Sequence, residues 1–364
     1  MKLYALIMAG GEGKRFWPLS SKQNPKQFLS LTGQKSLIRQ TVDRILPLIP
    51  INNIFIVTVG EYEGLTLRHI PELPKQNVLI EPQGKNTAPC IAYGTLVIES
   101  MCEDAVTVVL PADHAISDEG EFLDTLKFGA TLAEKKLDSG KYPLITLGVT
   151  PTMPETGYGY IKSTGNLMHS DGVNNAYIVE SFTEKPDFET AHRFLSEGGY
   201  YWNSGIFIWK TKAIISAFDS ILSEWSPYLE NITENVSSPG ALDAVSDFYN
   251  KISPGSIDKL ILEHADNTVV LPVTFQWSDV GSWKALDEYL RASGTTAENI
   301  IIGDGVAVNS SKCLVISGAK TVALVGVKNV VVVESENAIL VLNKESSQDV
   351  KEVVEKLNTS GKFT

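Results

Sequence analysis

The chain has 364 residues, 43% apolar and 20% charged, a balance that supports a large folded core and excludes a disordered polyelectrolyte. Its 43 Asp and Glu outweigh 31 Lys and Arg, giving a net charge of −12, which argues against general nucleic-acid binding because that needs a basic face. No apolar run is long enough to span a bilayer, and the N-terminus lacks a secretory pattern. Cys90, Cys102 and Cys313 fit neither a disulfide framework nor metal-ligand spacing, so a reduced, cytoplasmic protein without membrane contact is expected.

The chain opens with an apolar strand, Leu3 to Met8, broken by Ala9, Gly10, Gly11 and Gly13, which let backbone approach a ligand closely. Lys14 and Arg15 follow, with Lys22 and Lys26 soon after, and the first fifty residues hold eight Lys/Arg against two Asp/Glu. A basic, glycine-rich loop in an acidic chain is a local anion site, because N–H groups and cations converge there. A P-loop is excluded, since Met8 stands at its first glycine and Arg15 follows Lys14. A dinucleotide fingerprint is excluded by Phe16 in its third glycine place.

Further along, helical spacing over Ser36 to Leu46 is stopped by Pro47 and Pro50. Ile54 to Val59 and Val78 to Ile80 read as strands, Thr87 to Met101 as a helix, and Ala105 to Leu110 as a strand buried on both faces. A helix over Phe122 to Lys136 and a strand over Leu144 to Val149 continue the alternation, which predicts a Rossmann-like α/β fold with a mostly parallel sheet flanked by helices. Ligands of such sheets bind beyond the carboxyl ends of the strands, where the glycine loop, Glu81 and Asp113 fall.

Gly157 to Ile161 and Ala176 to Phe182 are predicted as strands, Phe188 to Ser196 as a helix, and Trp202 to Trp209 as a strand that also carries polar Asn203 and Ser204. Residues 211–265 are mainly helical, Val269 to Val273 is a strand, Gln276 to Asp279 a loop and Ser282 to Leu290 a helix. Near Ala292 a boundary is expected, dividing residues 1–292 from 293–364. Beyond it, short Val/Ile runs recur between turns from Ile300 to Leu342, with the spacing of β-helix or small-barrel coils; so small a β segment needs a neighbour to dock on. Ser346-x-x-Asp349 has capping-box form before a last helix to Leu357.

The glycine loop, with Phe16-Trp17-Pro18-Leu19-Ser20 and Pro25-Lys26-Gln27-Phe28, resembles the sugar-1-phosphate nucleotidyltransferases, in particular their mannose-1-phosphate guanylyltransferase branch. Trp277-Ser278-Asp279-Val280-Gly281-Ser282-Trp283, Glu184-Lys185-Pro186 and Trp202-Asn203-Ser204-Gly205-Ile206-Phe207 match elements of the same family, and the likeness runs from residue 3 to about residue 345. It implies transfer of GMP from GTP to mannose 1-phosphate, giving GDP-mannose and pyrophosphate. Asp113 and Asp279 would hold Mg²⁺, although Asp113 alone reads equally well as a helix cap, and Asp279 alone reads better as an N-cap or turn residue. Arg15 and Lys26 would act on the leaving pyrophosphate, and Ala9, Gly10, Gly11 and Gly13 would hold the nucleotide. Gly159, Glu184, Lys185 and Asn203 would bind the sugar phosphate.

The stretch from Glu81 to Pro89 resembles the nucleobase loop of the family, and Glu81, Asn86 and Thr87 are its candidates; guanine presents two donors, for which a carboxylate or carbonyl is the complement. The same stretch reads as a helix start with Asn86 or Thr87 as cap. Lys14 stands where relatives carry a small hydroxyl residue, and Lys22 where many carry Arg. The resemblance also implies a left-handed β-helix-like C-terminal domain, a homodimer, and a chain without the cupin isomerase domain of longer relatives. The same chemistry on another sugar 1-phosphate (heptose or fucose) or another base, and a non-catalytic sugar-nucleotide sensor of this fold, are the alternatives.

Overall fold

The computed structural model describes residues 2–11 and 13–359. Packing divides the chain into two compact units, one of residues 1–10, 42–112 and 118–275, the other of residues 11–41, 113–117 and 276–364.

The strands in chain order begin with β1 (Lys2–Met8), β2 (Ile54–Val59), β3 (Val78–Glu81), β4 (Ala105–Pro111), β5 (Ala115–Ile116) and β6 (Leu144–Val149). They continue with β7 (Tyr160–Ser170), β8 (Asn175–Thr183), β9 (Tyr200–Lys210), β10 (Thr268–Val273) and β11 (Trp277–Ser278). The first unit holds a nine-stranded sheet in the order β3-β2-β1-β4-β9-β6-β10-β8-β7. β1, β2, β3 and β4 are parallel neighbours, with Leu6 opposite both Phe55 and Val109, and β6 and β10 are parallel as well. β9 runs antiparallel to β4 and β6, and β8 antiparallel to β10. The sheet is mostly parallel, as the unbroken apolar runs predict.

The helices of this region are α1 (Leu37–Ile45), α2 (Glu63–His69), α3 (Thr87–Met101), α4 (Glu119–Ala133), α5 (Phe188–Glu197), α6 (Thr211–Ile221), α7 (Ser226–Asn235) and α8 (Ala241–Lys251). They cover both faces of the sheet. Trp209 of β9 joins the core that includes α3 and α6, while its neighbour Ile208 meets Gly129 of α4, and adjacent side chains of a strand point to opposite faces. A Cβ on Gly129 would lie 2.4 Å from Ile208 Cδ1, so this glycine sets how closely α4 approaches.

Several boundaries differ from the sequence reading for local reasons. α4 starts at Glu119, because Asp118 caps it by accepting from the Glu121 N–H at 2.9 Å. β7 begins at Tyr160, opposite Trp202, and Gly157 to Gly159 stay outside it. The expected loop at Gln276 to Asp279 contains β11, which pairs with β5. The short helix α2 has no counterpart among the expected elements.

In the second unit α9 (Trp283–Ala292) leads to β12 (Ile300–Ile302), β13 (Gly305–Val308), β14 (Leu314–Ile316), β15 (Val322–Val325), β16 (Val330–Glu334) and β17 (Ile339–Asn343), then α10 (Val350–Thr359). β12, β14 and β16 stack in parallel, as do β13 and β15, which makes the coils of a β-helix-like domain; β17 closes it antiparallel to β16. This small β segment has the neighbour it needs. Ile300, Leu314, Val331 and Leu340 share one core with Phe16, Trp17, Trp283 and Leu286. Ser346 does not cap the last helix: it lies inside a 3₁₀ turn, Lys344–Asp349, whose Glu345 N–H donates to Asn343 Oδ1 at 3.0 Å.

Candidate functional site

Gly13 lies at φ 62°, in the left-handed region, and a Cβ there would stand 2.3 Å from Lys26 Cβ, so only glycine fits. Beyond it Lys14–Phe16 forms a 3₁₀ turn, and Ser20 Oγ donates to Gly13 O at 2.8 Å. Aromatic packing anchors the turn. Phe16 is fully buried edge-on to Trp283 with ring centres 4.7 Å apart, and Trp283 Nε1 donates to Trp17 O. Arg15 donates to Gly281 O at 3.3 Å.

Lys26 is only 6% exposed. Its ammonium donates to Asp113 Oδ2 at 2.8 Å and to the Asp279 backbone carbonyl at 2.6 Å, so one charge ties the Asp113 carboxylate to the backbone of Asp279. Burial alone would raise the Asp113 pKa, but Lys26 and His114 outweigh it and hold the carboxyl below its ordinary value. Trp277 Nε1 donates to His114 Nδ1 at 3.2 Å, which leaves Nε2 as the protonated nitrogen, 4.0 Å from Asp113 Oδ1. Asp279 is presented by a strained turn. Val280, β-branched and fully buried, sits at φ 43°, and Asp279 Oδ1 accepts from the Gly281 N–H at 2.9 Å.

Lys14, Arg15, Lys26, Asp113 and Asp279 line a cavity of 370 Å³. Among the described residues no group of three or more His, Cys, Asp or Glu could hold a metal ion. Two carboxylates offering hard oxygen fit a magnesium-like ion, which takes its remaining ligands from phosphate and water.

The first unit gathers other predicted residues. Gly159 O accepts from the Asn203 N–H at 2.8 Å, and a Cβ on Gly159 would fall 2.7 Å from Glu184 Oε2, so Gly159, Glu184 and Asn203 are neighbours. Lys185, at φ 47°, folds back to donate to Glu184, whose N–H donates to Glu263 Oε1. Asn203 accepts from Thr146 Oγ1 at 3.0 Å and donates to Asp258 Oδ1 at 2.8 Å. Asp258 is absent from the sequence reading. It opens a π-helical turn, Asp258–Leu262, and burial with the nearby Glu184 charge pushes its carboxyl up to about 7. No motif surrounds it to signal this.

The nucleobase candidates separate. Glu81 is 4% exposed and accepts from Tyr249 OH at 2.8 Å; burial pushes it up to about 7 against the pull of that bond. Gly10 backs onto it, since a Cβ there would lie 3.4 Å from Glu81 Oε2, and Ala9 is tied to the sheet through Val57 O. Asn86 is exposed and caps α3 by accepting from the Thr87 N–H, while Thr87 Oγ1 accepts from the Ile257 N–H at 2.9 Å. The helix-start reading of this stretch is therefore the geometry seen. Tyr249, distant in sequence, could not have been paired with Glu81 beforehand.

A family profile described as nucleotidyl transferase matches residues 4–295, and one described as a MannoseP isomerase/GMP-like beta-helix domain matches residues 303–357. An Escherichia coli mannose-1-phosphate guanylyltransferase is 38% identical over 363 residues, covering 97% of this chain and 73% of the relative. The alginate biosynthesis protein AlgA of Pseudomonas aeruginosa is 34% identical, over 98% of this chain and 72% of the relative. A Thermus thermophilus crystal structure, named a mannose-1-phosphate geranyltransferase, superposes with a TM-score of 0.85 at 32% identity, covering 98% of this chain and 100% of that one. With a nucleotidyl transferase match over residues 4–295 and relatives at 34–38% identity covering 97–98% of this chain, the chain belongs to the nucleotidyl transferase family, on the branch of the mannose-1-phosphate guanylyltransferases.

Proposed function

We propose that the protein is a mannose-1-phosphate guanylyltransferase, transferring GMP from GTP to α-D-mannose 1-phosphate. A phosphate oxygen of the sugar phosphate attacks the α-phosphorus in line; the bond from that phosphorus to the β-phosphate oxygen breaks, and its electron pair leaves with pyrophosphate. The nucleophile is already an anion, so no strong base is required. The barrier is electrostatic, because unit charges ~4 Å apart in a partly buried site repel by roughly 4 kcal/mol per pair.

The observation that supports this reading is one cavity lined by Asp113, Asp279, Lys26 and Arg15, with Lys26 bonded to the Asp113 carboxylate and the Asp279 backbone. Asp113 and Asp279 would hold Mg²⁺, which supplies charge neutralisation between facing phosphates. Arg15 stabilises charge on the departing pyrophosphate, and Lys26 does so while keeping Asp113 ionised. Gly11 and Gly13 lend N–H groups and a close approach to the triphosphate. Ala9, Gly10, Glu81, Asn86 and Thr87 form the nucleotide side, and Gly159, Glu184, Lys185 and Asn203 the sugar-phosphate side, with Asp258 added through its bond to Asn203. Residues 1–292 act as the catalytic domain and 293–364 as a β domain with its terminal helix, a division supported by the matches to 4–295 and 303–357.

We place the protein in the cytoplasm; no described helix is long and apolar enough to cross a membrane. We also propose a homodimer, supported by exposed Val306, Val308 and Val325 on paired strands β13 and β15 and checked by particle mass in solution.

The deciding experiment is pyrophosphate release from GTP and mannose 1-phosphate with and without Mg²⁺. Metal-dependent release, poorer with ATP, UTP or dTTP and with fucose or heptose 1-phosphate, is expected. Faster turnover of another pair would reassign the substrate, and tight GDP-mannose binding without turnover would make the protein a sensor.

A further inference from the structure

We propose that the C-terminal helix α10 is a functional wall of the anion cavity, with Lys351 a further cation for the terminal phosphates of the nucleotide and for the departing pyrophosphate. This rests on the reading of that cavity as the triphosphate site. Helix α10 is held by an apolar stripe: Val350 and Val354 are buried, Leu357 packs beside them, and all three join the core containing Phe16, Trp17 and Trp283. That spacing of four and three residues is one helix face, so its burial fixes the rotation of the helix. The adjoining face then carries Lys351 and Glu355, one turn apart, and both line the 370 Å³ cavity together with Lys14, Arg15 and Lys26.

Lys26 and Arg15 already bond protein oxygens, whereas Lys351 forms no ion pair or hydrogen bond among the described residues. Its charge is uncommitted and its backbone is pinned, which is the condition for contacting a polyanion at low ordering cost. Glu355 sets a carboxylate on the same wall. Charge removal at these two positions therefore has opposite signs, an outcome that a packing role for α10 does not produce.

The test uses the full chain. Lys351→Ala is expected to raise KM for GTP roughly tenfold, the scale of one charge-assisted hydrogen bond. It should leave KM for mannose 1-phosphate nearly unchanged and weaken product inhibition by pyrophosphate in parallel. Lys351→Arg should restore GTP affinity, and Glu355→Gln should lower KM for GTP. Calorimetric titration with pyrophosphate gives a readout independent of turnover, with weaker binding to Lys351→Ala expected. Unchanged GTP and pyrophosphate affinity in Lys351→Ala, or equal loss in Lys351→Arg, would overturn the proposal. If the wild-type protein releases no pyrophosphate from the two substrates, the functional reading fails while the titration still decides the role of Lys351.

Discussion

Glu81 makes a sharp physical test, because its environment sets both the sign and the size of a pH effect. The carboxyl is 4% exposed, bonds Tyr249, and is pushed up from 4.5 to about 7 by burial. A carboxyl whose pKa rises on folding favours the protonated native state. Its contribution is complete below about pH 4.5 and is lost as pH climbs through about 7. At ~1.4 kcal/mol per pH unit, the rise corresponds to about 3 kcal/mol. Glu81→Gln keeps the acceptor for Tyr249 and removes the titration. Urea unfolding of both proteins, followed by tryptophan fluorescence from about pH 4 to about pH 8.5, should show near-equal stability at the acid end. The variant should then gain steadily to about 3 kcal/mol above pH 7. Asp258, also raised to about 7, titrates in both proteins and cancels in the difference. A stability difference that does not vary with pH would refute the argument.

Other expectations concern the loop, the proposed role of Arg15 and the buried ion cluster. Gly13→Ala places a methyl 2.3 Å from Lys26 Cβ at a positive φ, so it should cost ~1–3 kcal/mol of stability and most of the turnover, read by thermal unfolding and pyrophosphate release. Arg15→Ala should lower kcat by about 10²–10³ with the fold intact, the scale of losing one preorganised donor; near-full turnover at saturating GTP would remove Arg15 from catalysis. Asp287, 3% exposed, accepts from Arg291 at 2.9 Å and from buried Lys344. Asp287→Ala strands the buried Lys344, while Arg291 keeps backbone acceptors, and should destabilise by ~3–5 kcal/mol in urea unfolding, whereas Asp287→Ala with Lys344→Met should recover part of it.

Much of the sheet was legible because its strands are buried on both faces. Runs such as Ile54 to Val59 and Leu144 to Val149 are apolar but for one threonine each, a pattern that suits strands buried on both faces of a covered sheet. The cationic loop was legible for a related reason: glycines followed by Lys14 and Arg15 in an acidic chain have few other uses. The misplaced boundaries lie where one capping residue or one pairing decides, as with Asp118 before α4 and Trp277 opposite Ile116.

The sequence by itself determined the covered, mostly parallel sheet and the basic glycine-rich loop, since these depend on residue type and short spacing; Asp113 and Asp279 were singled out only by the family resemblance. The tertiary structure alone decided how Lys26 meets partners 87 and 253 residues away, which acid joins Asn203, what holds Glu81, and which helix lines the cavity at Lys26. Those are contacts between segments far apart in the chain. They are selected by the packing of whole elements, and short-range pattern carries no record of them.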